Sequence, residues 1–522
     1  MIQDNAARIL VRPESPAPPR ELTGVAVVAL AAFVLLMAVS TRFGYHRDEL
    51  YFLEASKHMA WGYVDQPPLA VGWAWLAREL FGGSLAGLRL LPALCDAAAI
   101  VLTGLIAREL GGRRVAQVVA AISVASAPIF LAGSHTANTT PFDLLAWAAI
   151  LFFLVRLIRT GDGRLWLAIG AVTGLALLNN ETILLLVAGV AVGVLVNRQG
   201  RLLASPWLWA GAVLALVIWS PNLIWETRHH WPSLAMSRSL RREHSGLGST
   251  ITFVLNQVLL PGWWVILLWL AGLWALWRDT AFRPYRWAAV AYAVMFVANA
   301  IVIGDRPYYL SGIYTLALAA GACVLEGALA GRHALFRSTA RRKPWIWRSP
   351  RAVVVWIVVV GAIGLIPTLP VLPASAVGTL KLNKANYDLG EQIGWPSFVG
   401  AVARAYDSLP AADRRTAVIV TSNYGEASAI AWFGPRLGLP RAYSGHNNYW
   451  FWGTPHPSGG PALLVGFDRD QLPANAFAAI TLAGTVHNQA GVDNDEEGAP
   501  VWLCRGQTTP WTALWPTFRH YG

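Results

Sequence analysis

Long apolar runs separated by short polar segments fill the chain from residue 22 to about residue 372. A helix needs roughly 20 mostly apolar residues to cross a bilayer. On this basis the pattern predicts eleven membrane spans, at 22–40, 86–107, 115–132, 143–155, 165–178, 182–196, 206–225, 251–277, 287–303, 310–330 and 352–372. A composition of 55% hydrophobic and 13% charged residues is typical of the same class. The sequence therefore predicts a polytopic α-helical membrane protein.

Lysine and arginine are unevenly distributed over the predicted connections. If segment 1–21 lies inside, the connections on its side carry 21 of these residues and the opposite loops carry 9. Cytoplasmic loops hold the positive excess in membrane proteins, so we expect a cytoplasmic segment 1–21 and an outer loop at 41–85. The same bias accounts for the net charge of +12. It is compatible with contact to anionic membrane lipids, and it makes a nucleic-acid partner a poor explanation.

The pattern changes after residue 373. Short strand-like runs occur at 417–421, 462–467 and 501–504, and a helix-like run opened by proline occurs at 396–409. An odd number of spans places this region outside the cytoplasm. We therefore expect a transmembrane catalytic domain at 22–373 followed by an extracytoplasmic α/β domain at 374–522. The three cysteines are far apart and suggest neither a disulfide framework nor a metal site.

The predicted topology puts most of the polar residues of the membrane region on one side. Ionisable groups at membrane depth are costly and usually functional. A carboxylate can take a proton from an attacking hydroxyl, and arginines can hold a phosphate. Together these groups describe glycosyl transfer from a polyprenyl-phosphate sugar. The residues concerned include Asp48, Glu49, Asp143, Glu181, Arg242 and Arg306.

Several motifs occur in a fixed order along the chain: YHRDELYF at 45–52, GYVDQPPL at 62–69, Arg89, Asp143, PYYL at 307–310, YGEA at 424–427 and SGHN at 444–447. In this order they resemble family 39 and related glycosyltransferases of the GT-C class, which include protein O-mannosyltransferases and lipid A aminoarabinose transferases. The resemblance implies a GT-C-like fold and inverting transfer of a hexosyl or pentosyl group. The donor would be a polyprenyl-phosphate sugar at the outer face, and the acceptor a hydroxyl of a protein, glycan or lipid.

The resemblance also implies roles for individual residues. Asp48 would be the catalytic base, with Glu49 secondary and Asp143 a second acidic residue of the site. Arg89 would lie near the donor phosphate. Many relatives carry lysine at the positions of Gln66 and of the turn at 180–181, so Arg242 and Arg306 would have to supplement Arg89. The substrate would be lined by Gln66, Glu181, Tyr308 and Tyr309. No cofactor is required on this reading, no metal ligand is assigned, and divalent metal dependence is left open.

Each assignment has a plainer structural alternative. Asp48 and Asp143 could cap the helices that follow them, and Arg89 could reach headgroups from a span end. Tyr308 and Tyr309 could belong to an interfacial aromatic belt, and Arg242 to a headgroup-facing cluster. A transporter or flippase would share the many spans, but its charged residues should line a path near the midplane. A scaffold protein would leave the acidic loop at 48–49 without a purpose.

Overall fold

The structure is a computed structural model that describes residues 22–243, 247–303, 306–331, 349–456 and 459–521. Its helices are α1 (Leu22–Val39), α2 (Arg47–Ala55), α3 (Leu69–Phe81), α4 (Leu85–Glu109), α5 (Arg114–Ala125), α6 (Pro128–His135), α7 (Thr140–Thr160), α8 (Leu165–Leu177), α9 (Ile183–Val196), α10 (Pro206–Arg228), α11 (Pro232–Glu243), α12 (Leu247–Leu259), α13 (Ile266–Arg278), α14 (Arg286–Ala298), α15 (Tyr314–Leu329), α16 (Pro350–Thr368), α17 (Ala374–Thr379), α18 (Leu382–Ala385), α19 (Tyr387–Gly390), α20 (Trp395–Asp407), α21 (Ala411–Arg414), α22 (Tyr424–Phe433) and α23 (Trp511–Leu514). The strands are β1 (Val418–Thr421), β2 (Ala442–Ser444), β3 (Ala462–Val465), β4 (Phe477–Thr485) and β5 (Pro500–Gln507).

Each of the eleven apolar runs forms helix, and the protein is a multi-pass membrane protein. Among the described residues, five helices are long and apolar enough to cross a bilayer, and two bent pairs raise that number to seven. The run predicted at 143–155 is longer than expected, since α7 has 21 residues. Helices α1, α8 and α9 are apolar but shorter. The count of eleven spans therefore stays a prediction.

Two runs predicted as single spans are broken. Helices α5 and α6 meet at a 54° bend before Pro128, and α12 and α13 meet at 65° around Gly262. Proline lacks the N–H that would continue the hydrogen bonds of the preceding helix. Gly262 has φ of 94°, a value that a residue with a side chain rarely adopts. Both breaks follow from backbone chemistry that a hydropathy pattern does not register.

The membrane helices approach one another through glycines. A Cβ on Gly170 of α8 would lie 2.1 Å from the carbonyl oxygen of Gly211 in α10. A Cβ on Gly272 of α13 would lie 1.9 Å from the carbonyl oxygen of Ala317 in α15. Small residues permit such close contact where lipid gives helices no hydrophobic reason to associate. These two helix pairs are consequently held backbone to backbone.

The C-terminal region contains a five-stranded mixed sheet with the order β2-β1-β3-β5-β4. Strand β1 pairs in parallel with β2 and β3, whereas β5 is antiparallel to β3 and β4. The predicted strands at 417–421, 462–467 and 501–504 correspond to β1, β3 and β5, and the predicted helix at 396–409 is α20. Strands β2 and β4 were not predicted: β2 has only three residues, and β4 is an edge strand whose side chains are mostly exposed although its sequence, FAAITLAGT, is largely apolar.

The loop predicted at 41–85 folds into the C-terminal domain. It contains α2 and α3, whose apolar faces share one buried cluster with residues of α20, α22 and the sheet. Leu50, Tyr51 and Leu53 of α2 are each 1% exposed within this cluster. Burial of this apolar surface fixes α2, and with it the acidic residues of its first turn, against the C-terminal domain.

Candidate active site

The start of α2 sets the geometry of the acidic loop. His46 is the N-cap, and its Nδ1 lies 3.2 Å from the Asp48 amide, from which it accepts a hydrogen bond when the imidazole is neutral. The Glu49 carboxylate accepts from the His46 amide at 2.8 Å, which completes a capping box. The structural alternative in which Asp48 caps this helix is therefore wrong. With that role taken by His46, the Asp48 side chain is available for other contacts.

Glu49 and Arg89 form a fully buried pair. The carboxylate is 0% exposed, and it accepts from Arg89 Nε at 2.8 Å and from Nη2 at 2.7 Å. Its two oxygens also accept from the amides of Ala137 and His46. The Arg89 guanidinium donates further to the carbonyl oxygens of Ser40 and Gly44 and to Gln392 Oε1. The pair joins α2, α4, α6 and the C-terminal domain.

This geometry favours structural roles for Arg89 and Glu49 over the substrate contacts predicted for them. The donors of Arg89 point at protein acceptors, and 1% exposure leaves no face for a lipid phosphate. Glu49 is equally enclosed. Both side chains fit a structural role in which each offsets the cost of burying the other. Arg89 is also not a headgroup anchor, because its side chain points into the protein.

Asp48 differs from Glu49 in being partly open. Its side chain is 32% exposed, and one oxygen accepts a hydrogen bond of 2.8 Å from the hydroxyl of Tyr424 in α22. The other oxygen lies 3.8 Å from His46 Nδ1. A carboxylate that is oriented by one bond and still reachable is suited to accept a proton from a substrate.

A second carboxylate lies beside Asp48. Asp65 accepts from the hydroxyl of Tyr51 at 3.0 Å and from Asn447 Nδ2 at 3.3 Å. Burial raises the pKa of Asp65 to about 7, and the charge of Asp48 acts in the same direction. At neutral pH the two acids therefore carry fewer than two full negative charges. Asn447 has φ of 48°, so the C-terminal domain presents this amide from a left-handed backbone position.

The C-terminal domain also holds the residues on either side of this acid pair. His46 Nε2 lies 3.6 Å from Asp388, and Arg47 lies 3.5 Å from Glu391 and 3.3 Å from Asp495. Burial works against protonation of His46, but Asp388 and the neighbouring acids outweigh it and raise its pKa to about 9. His46 and Arg47, to which no role was assigned from the sequence, position the loop through these ion pairs.

The membrane helices add a second group of polar residues. Asp143, in the first turn of α7, accepts from Thr182 at 3.4 Å, and its other oxygen is buried with no hydrogen-bond partner among the described residues. Arg306 donates to the Tyr308 hydroxyl at 3.0 Å. Tyr309 is close enough to Asp143 and Arg306 to interact electrostatically with both. Arg306 lies within electrostatic range of Tyr424, whose hydroxyl donates to Asp48.

The remaining predicted site residues are Gln66, Glu181, Tyr308, Tyr309 and Arg242. Gln66 is 8% exposed, and its Nε2 has no hydrogen-bond partner among the described residues. Burial raises the pKa of Glu181 to about 7, in the turn that also supplies Thr182. Tyr308 and Tyr309 are half-buried and in edge-to-face contact at 4.8 Å. The side chain of Arg242 lies outside the part of the chain that the structure describes, as do His244 and Asp305.

Three residues of the site were missed as functional candidates. Asp65, Tyr424 and Asn447 lie within the motifs GYVDQPPL, YGEA and SGHN, but no role was predicted for any of them. Their position in the motifs was the available signal. Within the described residues, no group of three or more His, Cys, Asp or Glu side chains is arranged to hold a metal ion.

Comparison with known proteins finds a similar sequence family and similar folds. Residues 65–225 match the sequence model of the family described as Dolichyl-phosphate-mannose-protein mannosyltransferase. The crystal structure of ArnT from Cupriavidus metallidurans bound to undecaprenyl phosphate superposes with a TM-score of 0.59 at 19% identity, over 92% of this chain and 98% of that one. The chain resembles GT-C glycosyltransferases in sequence and in fold. The GT-C resemblance predicted from the motifs is therefore confirmed.

Two further solved structures are similar to this chain. ArnT from the same organism in the apo state gives a TM-score of 0.57 at 18% identity, with coverage of 92% and 98%. The Archaeoglobus fulgidus oligosaccharyltransferase in its apo form gives a TM-score of 0.47 at 15% identity, over 81% of this chain and 64% of that chain. Comparison with curated protein sequences gives no match.

Proposed function

We propose that this protein is an inverting glycosyltransferase of the GT-C type. It moves a sugar from a polyprenyl-phosphate donor to an acceptor hydroxyl at the outer face of the membrane. The observation that carries the proposal is the contrast between the two neighbouring acids. The Glu49 carboxylate is buried and paired with Arg89, whereas Asp48 is partly exposed and is oriented by the hydroxyl of Tyr424. The acidic loop thus presents one carboxylate for chemistry and uses the other to hold the loop.

Asp48 is the base in this mechanism. The acceptor hydroxyl attacks the anomeric carbon, its proton passes to an Asp48 oxygen, and the bond from that carbon to the phosphate oxygen breaks. A single displacement inverts the anomeric configuration. The hydrogen bond from Tyr424 fixes the direction of the carboxylate, and such positioning supplies much of the rate gain in proton transfer.

Arg306 is the residue that we assign to the donor phosphate in place of Arg89. It is half-buried at the start of a candidate span and lies near Tyr308, Tyr309 and Tyr424. A guanidinium at this depth can hold a phosphate by paired hydrogen bonds as negative charge develops on the leaving oxygen. The match to ArnT bound to undecaprenyl phosphate supports a lipid phosphate of this kind. In this proposal Asp143, Glu181 and Gln66 line the substrate-binding site.

The test uses the full-length protein reconstituted with a panel of polyprenyl-phosphate sugars, with release of the lipid phosphate as the readout. Asp48→Asn keeps the side-chain size and the contact to Tyr424 but removes the base, so we expect the rate to fall by roughly 10²–10⁴-fold. Asp470→Asn, at an exposed position of the C-terminal domain, is the matched control and should transfer normally. Full activity of Asp48→Asn in an otherwise folded protein would refute the assignment.

The phosphate assignment is tested by Arg306→Ala. Loss of a charge-assisted hydrogen bond costs about 1.5–3 kcal/mol, so KM for the donor should rise on the order of ten-fold or more. Arg228→Ala, which removes an exposed arginine at the end of α10, serves as the control. An unchanged KM for the donor in Arg306→Ala would move the phosphate role to another residue while leaving Asp48 as the base.

A further inference from the structure

The segment 518–521, called the strap below, runs alongside the SGHN motif. The backbone amide of Asn447 donates to the carbonyl oxygen of His520 at 3.2 Å, and the amide of His520 donates to the carbonyl oxygen of Gly445 at 3.3 Å. A Cβ on Gly445 would lie 2.0 Å from the carbonyl oxygen of Phe518. The strap and the motif are therefore paired backbone to backbone, at a distance that only a glycine permits.

The strap also places a ring against the residue that orients Asp48. The His520 imidazole stacks on that of His446, with ring centroids 4.3 Å apart and planes at 27°. The buried His446 ring in turn contacts the ring of Tyr424 at 4.8 Å. The Tyr424 hydroxyl donates to Asp48 at 2.8 Å. A row of three rings thus connects the strap to the proposed base.

Two further contacts hold the strap in place. The carbonyl oxygen of Tyr521 accepts from Ser239 Oγ in α11 at 3.0 Å. The Arg519 guanidinium lies 5.3 Å from the ring centroid of Trp450 and 5.7 Å from that of Phe451. A guanidinium over an aromatic ring is attracted by the negative charge of the ring face. The strap is therefore anchored by contacts other than its stacked imidazole.

We propose that His446 and His520 are positioning residues that keep the Tyr424 hydroxyl on the proposed base. A tyrosine side chain can adopt several rotamers, and a hydrogen bond weakens steeply when the donor turns away from its acceptor. The His446 ring restricts the movement of the Tyr424 ring, and stacking on His520 restricts His446. Neither imidazole needs to touch the substrate, since both act through Tyr424. This role rests on the proposed function, because the orientation of Asp48 matters only if Asp48 is the base.

The experiment measures kcat and the donor KM of the full-length protein with the panel of polyprenyl-phosphate sugars. His520→Ala removes the stacked ring and keeps the backbone pairing of the strap. A ring–ring contact changes an equilibrium by roughly two- to ten-fold, so kcat should fall by about this factor while KM stays the same. His520→Phe retains a ring at this position and should restore kcat. His456→Ala removes another exposed histidine of the same domain and should transfer like the wild type.

A double variant separates positioning from a general effect on folding. If His520 acts through Tyr424, His520→Ala should cause no further loss of kcat in a protein that already carries Tyr424→Phe. An equal fractional loss in both backgrounds, or a wild-type kcat in His520→Ala, would overturn the proposal. Failure of the proposed function is a separate result, since it would appear as full activity of Asp48→Asn. An inactive Asp48→Asn together with a wild-type kcat in His520→Ala would refute the positioning role alone.

Discussion

Replacing Arg89 by alanine leaves the buried carboxylate of Glu49 without its charge partner. The change removes two hydrogen bonds to Glu49, of 2.8 and 2.7 Å, and those to the carbonyls of Ser40 and Gly44. Only the amides of Ala137 and His46 remain to the carboxylate. Removing one partner of a buried ion pair costs about 3–5 kcal/mol, mostly because the other charge stays buried. We therefore expect Arg89→Ala to lower the free energy of unfolding by this amount.

The assay is thermal and denaturant unfolding of the purified protein in one detergent. Arg404→Ala, which removes an exposed arginine of α20, is the control and should shift stability by less than about 0.5 kcal/mol. Arg89→Met paired with Glu49→Gln adds a double-mutant cycle. Because the two residues share their strongest contacts, the double variant should cost clearly less than the sum of the single variants.

A specific outcome would refute this reasoning. If Arg89→Ala unfolds like the wild type but no longer binds the lipid-linked donor, the guanidinium acts on the phosphate and the sequence-based role was right. If it is destabilised, and the fraction that remains folded binds donor normally, the pairing with Glu49 is its function. The two outcomes are separable because donor binding and unfolding are measured on the same preparation.

Two further predictions concern the residues that orient Asp48. Tyr424→Phe removes the 2.8 Å hydrogen bond to Asp48. We expect kcat to fall on the order of ten-fold or more, while KM for the donor changes little. A wild-type kcat in this variant would show that the hydrogen bond does not orient the base. The pKa of His46 is raised to about 9, so its contribution to stability, up to about 3 kcal/mol, is fully present below about pH 6.5 and is lost as pH rises through 9. His46→Asn can still cap α2 but cannot carry the positive charge. We therefore expect this variant to be less stable than the wild type at pH 6 and equally stable above pH 9. A difference in unfolding free energy that stays constant across this range would contradict the ion pair with Asp388.

The helices of the membrane region were predictable because lipid imposes one requirement on a span, a continuous apolar run. The bends before Pro128 and at Gly262 were not predictable from hydropathy. The first depends on the N–H that proline lacks, and the second on the positive φ of Gly262. In the C-terminal domain, the buried strands β1, β3 and β5 could be predicted because they appear in the sequence as apolar runs. The edge strand β4 was missed although its sequence is largely apolar, and most of its side chains are exposed.

The candidate site was only partly predictable for a different reason. Asp48 stands in an ordered set of motifs, which is local information. Glu49 and Arg89 were predicted to act on substrate because ionisable groups at membrane depth are usually functional. That inference does not allow for two ionisable groups that form a buried ion pair with each other. A sequence does not show which residues are in contact. Asp65, Tyr424 and Asn447 were missed for the same reason, since their partners lie far away along the chain.

The bond between Tyr424 and Asp48 has a consequence for the biogenesis of the protein. The two residues are separated by 376 positions, and α2 packs on a domain that is synthesised after the membrane helices. Chains are made from the N-terminus, so the membrane helices can insert while the base still lacks its orienting partner. We expect a nascent or C-terminally truncated chain to be integrated into the membrane yet inactive. Transfer activity would then begin only after the C-terminal domain has been made and has packed on α2.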